Sequence, residues 1–252
     1  MLGVDALIPM PALRSWIADV TLLRPDSALP LVHLPDAATS LVYRRVGTGG
    51  GDLRVIGPRS RAAYHPGKEL AMCIRVRLRP GAARSVLGVP AGELRDEAVA
   101  LTEVWGDRAT RLETRLDELA DPGPILRCIE NALLKGLPNS TGPRDRLLRE
   151  AVASLSTGYG RVGALARRLS VSERHLRDVF THQVGLSPKR FARIQRVRTV
   201  LAEAGAAPWA QLASDTGYYD QSHMAADFHL LMGASPAAFH AGRIPATTPC
   251  AT

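Results

Sequence analysis

Arg174 and Arg177 lie in the most basic stretch of a 252-residue chain, where Arg161 to Arg198 holds ten Lys and Arg against two Asp and Glu. A guanidinium presents a planar fork of donors. It fits a phosphate, and it fits the two acceptors on the major-groove edge of guanine. His175 stands between them and adds a ring nitrogen. Lys189 and Arg190 follow, with charge suited to phosphate. Further on, Gln221, Ser222 and His223 form a second polar set, in which Gln matches the acceptor–donor pair of adenine. These residue types suit recognition of double-stranded DNA, provided that helix ends carry them to a groove.

Other chemistries find little to work with. Cys73, Cys128 and Cys250 are scattered and odd in number. No Cys-x-x-Cys or Cys/His cluster occurs, so neither zinc nor a disulfide framework is expected. His65, Glu69, Cys73 and Asp96 show no catalytic spacing, and Glu93, Asp96 and Glu97 read as a solvated helix start. A phosphate-binding Walker loop, a G-x-S-x-G and an H-E-x-x-H are all missing from the sequence. The expectation is no catalytic residue, no cofactor and no metal. A DNA-repair enzyme of the methyl-accepting kind would need a reactive-cysteine or zinc cluster.

Charge is unevenly placed. The chain carries +8 overall, but residues 1–142 carry only +2 and residues 199–252 carry −3. The surplus therefore belongs to one helical stretch, as expected of a phosphate-binding surface. No apolar run approaches the ~20 residues of a membrane span. The N-terminus lacks a basic start and is broken by Pro9 and Pro11, so no secretory signal is expected and a cytoplasmic location follows.

The elements that must position these residues are announced by a repeat. Leu176, Phe180, Gly185, Ser187, Pro188 and Phe191 recur as Met224, Phe228, Gly233, Ser235, Pro236 and Phe239, each 48 residues later. Leu165-Ala166 recurs as Leu212-Ala213 at an offset of 47, so the copies differ by one residue in an internal turn. In the first copy Val162, Leu165, Ala166 and Leu169 keep helical spacing. Ser170-Val171-Ser172 turns, and Ser172 is placed to cap a second helix. That helix buries Leu176, Val179 and Phe180 and leaves Arg174, His175, Arg177 and Asp178 on its other side, the pattern of a helix-turn-helix.

Ser187 and Pro188 then start a linker helix of ~25 Å. Its Lys189, Arg190, Arg193 and Arg196 are expected to face phosphate in part. The second copy turns at Thr216-Gly-Tyr-Tyr219, and Asp220 opens its second helix. The recognition helices are expected at about 172–183 and 220–231.

Gly217-Tyr-Tyr-Asp-Gln-Ser-His-Met, with Phe228 and Gly233-x-Ser-Pro, resembles the signature of AraC/XylS-type transcription regulators. Leu165-Ala166, Ser172-x-x-x-Leu176-x-x-x-Phe180 and Gly185-x-Ser-Pro fit its first half, and the match covers about Asp145 to Gly242. The resemblance implies two helix-turn-helices on one face of DNA, in successive major grooves. It also implies that RNA polymerase, a small-molecule effector and a second copy are partners to consider. The chain departs from the family where Arg is usual, two residues before the core Phe, with Asp178 and Ala226 there. An interaction protein with weakened DNA binding is the alternative.

Before the repeat the pattern is different. Leu13 to Leu23 reads as a short helix carrying Trp16. Leu41–Val46 and Leu53–Ile56 read as strands around Gly49-Gly50-Gly51. Leu70 to Leu78 alternates cleanly, with Arg75 and Arg77 on the side away from the apolar residues. Helices follow from Asp107 to Leu119 and over Ile125, Ile129 and Leu133. This half, with Arg79-Pro-Gly-Ala-Ala83, resembles a poorly characterised β-rich domain found before such DNA-binding units. The expected fold is an α+β domain, strands then helices, followed by an all-α domain of two helix-turn-helix units joined by a linker helix. The boundaries are 1–142 for a sensing or dimerisation domain, 143–245 for the DNA-binding domain and 246–252 for a tail, with the break at Asn139–Pro143. Trp16, Tyr43, Tyr64 and Trp105 are pocket candidates whose more ordinary role is core.

Overall fold

The structure is a computed structural model that describes residues 3–24, 29–47, 49–68, 70–137, 142–156 and 162–249. Eight strands come first: β1 (Gly3–Leu7), β2 (Ile17–Arg24), β3 (Leu31–His33), β4 (Ser40–Arg45), β5 (Gly51–Ile56), β6 (Ala63–His65), β7 (Met72–Leu78) and β8 (Ala98–Ala100). Helix α1 (Ala83–Leu87) and a 3-10 turn at Ala91–Leu94 interrupt them before β8. Helices α2 (Leu101–Trp105), α3 (Asp107–Asp117) and α4 (Pro122–Leu134) complete the N-terminal part.

Six strands form one antiparallel sheet in the order β1-β2-β7-β4-β5-β8, and β3 pairs with β6 separately. The register lines up Leu53, Tyr43 and Ile74 across three strands, and Val55, Leu41 and Val76 in the next row. All six are buried, and they meet Leu112 and Leu116 of α3 and Ile125, Ile129 and Leu133 of α4 in one core. The alternation read for β7 is real. Its other face is also closed electrostatically. Arg77 makes two bonds to Asp36, at 2.6 and 2.7 Å, and Arg44 makes two to Asp52, at 2.6 and 2.8 Å.

The expected helix over Leu13–Leu23 is absent. Pro11–Leu13 is a 3-10 turn, and Ile17–Arg24 is strand β2. The register of β2 against β7 shifts between Ile17 and Asp19. That bulge inserts a residue into the two-residue period, which is why the apolar spacing imitates a helix. Helix α4 also starts earlier than expected. Pro122 occupies its first turn, where a missing amide costs nothing. Trp16 and Trp105 pack against the N-terminal core, and Tyr43 is fully buried within it.

In the small sheet His33 and His65 meet edge to face at 5.3 Å. Burial, then the charges of Arg59, His65, Arg75 and Lys68, lower the His33 pKa from 6.5 to about 4. Folded His33 therefore stays neutral where the unfolded chain takes a proton. Its effect on stability is absent above about pH 6.5 and destabilising as pH falls toward 4. Urea unfolding at pH 7.0 and 4.5 is expected to differ by on the order of 2–3 kcal/mol from this residue. His33→Gln should remove most of that difference. At pH 4.5 the Asp36 and Asp52 carboxylates, both held below 3.8, still contribute in full.

The remainder is helical: α5 (Pro143–Ser156), α6 (Val162–Arg168), α7 (Glu173–Val184), α8 (Pro188–Glu203), α9 (Trp209–Asp215), α10 (Gln221–Met232) and α11 (Pro236–His240). The expected break at Asn139–Pro143 falls largely outside the described residues, as do Glu69, Arg161 and Cys250. Leu34, Ala37 and Ala62 pack into the core of the helical part, so the two parts share side chains. Among the described residues no helix is long and apolar enough to cross a membrane.

Candidate nucleic-acid interface

Each expected helix-turn-helix is present, and the repeat extends to its hydrogen bonds. In the first unit Val171 N donates to Ala166 O at 3.0 Å. In the second, Tyr218 N donates to Ala213 O at 2.9 Å, both partners 47 residues on. Ser172 accepts from His175 N at 3.1 Å, and Asp220 accepts from His223 N at 2.7 Å. Gly185 and Gly233 end the recognition helices α7 and α10 with φ of +80° and +71°, a left-handed turn that suits residues without a Cβ. Ser187 and Ser235 cap the next helices. Phe180 meets Phe191 edge to face at 5.2 Å, and Phe228 meets Phe239 at 5.9 Å.

The change of offset from 47 to 48 lies between Tyr218 and Asp220. The inserted residue is Tyr219, which is 93% exposed beside the start of α10. Sequence reading placed both tyrosines in the turn and did not separate them. Tyr218 is buried, and the Arg196 guanidinium stands 4.5 Å from its ring centre.

On α7, Leu176, Phe180 and Val184 are buried, whereas Arg174, His175 and Arg177 are exposed. Arg174 lies 4.0 Å from Asp178 along the helix, a solvated pair of small energy. Gln221, Ser222 and His223 are exposed in the first turn of α10, and the His223 ring meets Tyr218 edge to face.

The linker helix α8 uses its cations differently from the expectation. Of Lys189, Arg190, Arg193 and Arg196, Lys189 alone is exposed. Arg190 donates to Ser60 O at 2.7 Å, and Ser60 in turn donates to Asp96. Arg193 and Arg196 lie 2.9 and 3.4 Å from the two oxygens of Asp227, a buried carboxylate on α10. Sequence reading missed Asp227. The one available signal was an Asp beside Phe228 on an otherwise apolar stripe.

The N-terminal part meets both units. At the end of α7, a Cβ on Gly185 would stand 2.7 Å from Ala91 O, and one on Gly92 would stand 3.0 Å from His182 O. At the end of α10, Ala62 N donates to Leu231 O at 2.7 Å and the Tyr64 hydroxyl donates to Met232 O. Thr248 N donates to Tyr64 O at 2.8 Å, which lays the tail beside β6. Between the units, Arg198 of α8 donates to Pro35 O and pairs with Asp36. Of the residues considered for catalysis, His65, Cys73 and Asp96 are among the described ones and have structural surroundings. Cys73 is buried, its thiol pushed up to about 11, and His65 bonds Thr248 O.

A family model described as a helix-turn-helix domain matches residues 165–242. The chain is similar in structure to ToxT from Vibrio cholerae, at 11% identity over 98% of this chain and 99% of that one, with a TM-score of 0.44. A Chromobacterium violaceum transcriptional regulator with an AraC-type DNA-binding domain aligns at 18% identity over 39% of this chain and 92% of its own, with a TM-score of 0.36. The C-terminal domain of AraT from Geobacillus stearothermophilus aligns at 18% identity over 46% and 97%, with a TM-score of 0.37. No curated protein matches the sequence. With the repeated units and their exposed helix faces in place, residues 165–242 are a helix-turn-helix domain.

Proposed function

We propose that the chain is a DNA-binding transcription regulator of the AraC/XylS type in which α7 is the principal reader, with Arg174, His175 and Arg177 at base edges and phosphates of one major groove. Gln221, Ser222 and His223 at the start of α10 enter the next groove with a smaller share of the affinity. Lys189 adds a phosphate contact. Arg190, engaged by Ser60, braces the domain interface instead. The observation that carries this reading is the exposed row Arg174-His175-Arg177 on a helix anchored through its opposite face. Around it we place an N-terminal domain over 1–142 and a DNA-binding domain over 143–245, without catalysis of their own, in the cytoplasm. RNA polymerase, a small-molecule effector and a second copy are the further partners of this reading.

Sites selected from random DNA supply the ligand for the test. Arg177→Ala is expected to weaken the selected site by about 1–3 kcal/mol and to relax preference at one base pair. Unchanged affinity and preference in both Arg177→Ala and Arg174→Ala would remove α7 as reader.

The second reading, an interaction protein with weakened DNA binding, draws on two observations. Asp178 sits beside Arg174, and Asp227 holds two of the linker cations. A mobility shift across salt concentrations separates the readings, because each phosphate contacted contributes about −0.9 to the logarithmic slope. A slope near zero favours the second.

A further inference from the structure

We propose that the groove between α3 and α4 is a docking site for an acidic amphipathic helix on a partner protein. The groove is a cleft of about 650 Å³ on the N-terminal part. Arg111 and Arg115 stand on one wall, Arg127 and Lys135 on the other, and the lining has a single carboxylate, Glu118. All four cations are exposed. Leu119, Cys128 and Ala132, each partly exposed, form an apolar floor between them, with Leu112 buried beneath. A fifth cation, Arg108, is fixed by its stacking on Trp105 at 3.8 Å and by its bond to Ala132 O, so it ties the two walls together.

Charge decides among occupants. A second copy docking symmetrically would set this patch against itself, cation facing cation, which a self-complementary interface cannot tolerate. The occupant is therefore an acidic surface and not this same patch on a second copy. Shape decides the rest. On α3 the cations Arg108, Arg111 and Arg115 recur at three- and four-residue spacing over roughly 10 Å, and Arg127 and Lys135 stand about 12 Å apart along the other wall. A single carboxylate would answer only one of them. A nucleic-acid backbone would answer the charge but has no use for an apolar floor, since phosphates are held by polar donors. A helix with an apolar stripe flanked by Glu answers both, its stripe on the floor and its carboxylates on the rim. Opposite charge also speeds encounter and makes binding sensitive to salt.

The test uses the full chain and a fluorescein-labelled 14-residue peptide with Leu at helical spacing and Glu between. A scrambled peptide of the same composition and a random 20-base-pair duplex are the controls. By anisotropy, the amphipathic peptide is expected to bind at least tenfold more tightly than the scrambled one. Arg111→Glu with Arg115→Glu should weaken it at least tenfold, and so should Arg127→Glu alone on the opposite wall. The same variants should hold their selected DNA site with wild-type affinity. The proposal is overturned if the two peptides bind alike, if neither binds, or if charge reversal leaves peptide binding unchanged. It is equally overturned if the duplex displaces the peptide and the variants lose affinity for random DNA, which would make the groove a nucleic-acid site.

Discussion

Asp227→Ala is expected to destabilise the folded chain by about 3–5 kcal/mol, the scale for a buried ion pair that loses one partner. The carboxylate is 5% exposed and lies between Arg193 and Arg196. Its removal leaves two half-buried guanidinium groups with no counter-charge. Arg196 is also stacked against Tyr218, so it cannot turn to solvent without losing that contact. The effect should reach DNA binding too, because these contacts join the linker helix to the second recognition helix. Urea denaturation gives the stability loss, and footprinting on a selected site should show protection retained at the first half and weakened at the second. A loss below about 1 kcal/mol would mean that the pairs are screened as surface pairs are. Replacing Asp227 and both arginines by apolar residues of similar volume should recover much of the stability, since desolvation of the ions is then avoided.

Asp36→Ala is the second large effect, at about 2–4 kcal/mol, because its carboxylate serves both parts of the molecule. It takes both bonds from Arg77 on the sheet and pairs with Arg198 of the linker helix at 3.4 Å. Burial pushes the Asp36 carboxyl up, but the Arg77 bonds and the charges of Arg77 and Arg198 outweigh it, and the net direction is down from 3.8. Stability from Asp36 is therefore present above about pH 3.8 and lost as pH falls below it. Arg77 is the stronger partner, since its own pKa rises while burial of the more distant Arg198 lowers that group's. Arg77→Met should accordingly cost more than Arg198→Met. Limited proteolysis of Asp36→Ala should cut between the sheet and the helical part faster than in wild type. Equal resistance in the two proteins would show that the remaining contacts hold the parts together without it.

The helical part was readable because its sequence repeats itself. Paired positions 48 residues apart named the buried face, and Ser172, Gly185, Ser187 and Gly233 marked the ends by well-understood backbone chemistry. The strands β4, β5 and β7 were readable from alternation and a glycine turn. Strand β2 was not, because its bulge breaks the period, and three-residue strands such as β3, β6 and β8 are too short to show one. In the site, exposure of Arg174 and Arg177 followed from their helix face. The partners of Arg190, Arg193 and Arg196 did not. Ser60 is 130 residues from Arg190, and Asp227 is 31 from Arg196. Such pairings depend on how helices cross, which no local pattern records.

The two glycines where the N-terminal part touches α7 bear on how such regulators can be recombined. Gly185 admits the backbone of Ala91, and Gly92 admits the carbonyl of His182, with no room for a methyl group between Gly185 and Ala91. The reading head of this molecule is thus fitted to its own upstream neighbour, as a key is cut to one lock. A chimera that grafts residues 143–245 behind another N-terminal domain would need a glycine at the facing turn. Without one, the first reading helix would seat at a shifted angle, and the fused protein would seek a different spacing on DNA.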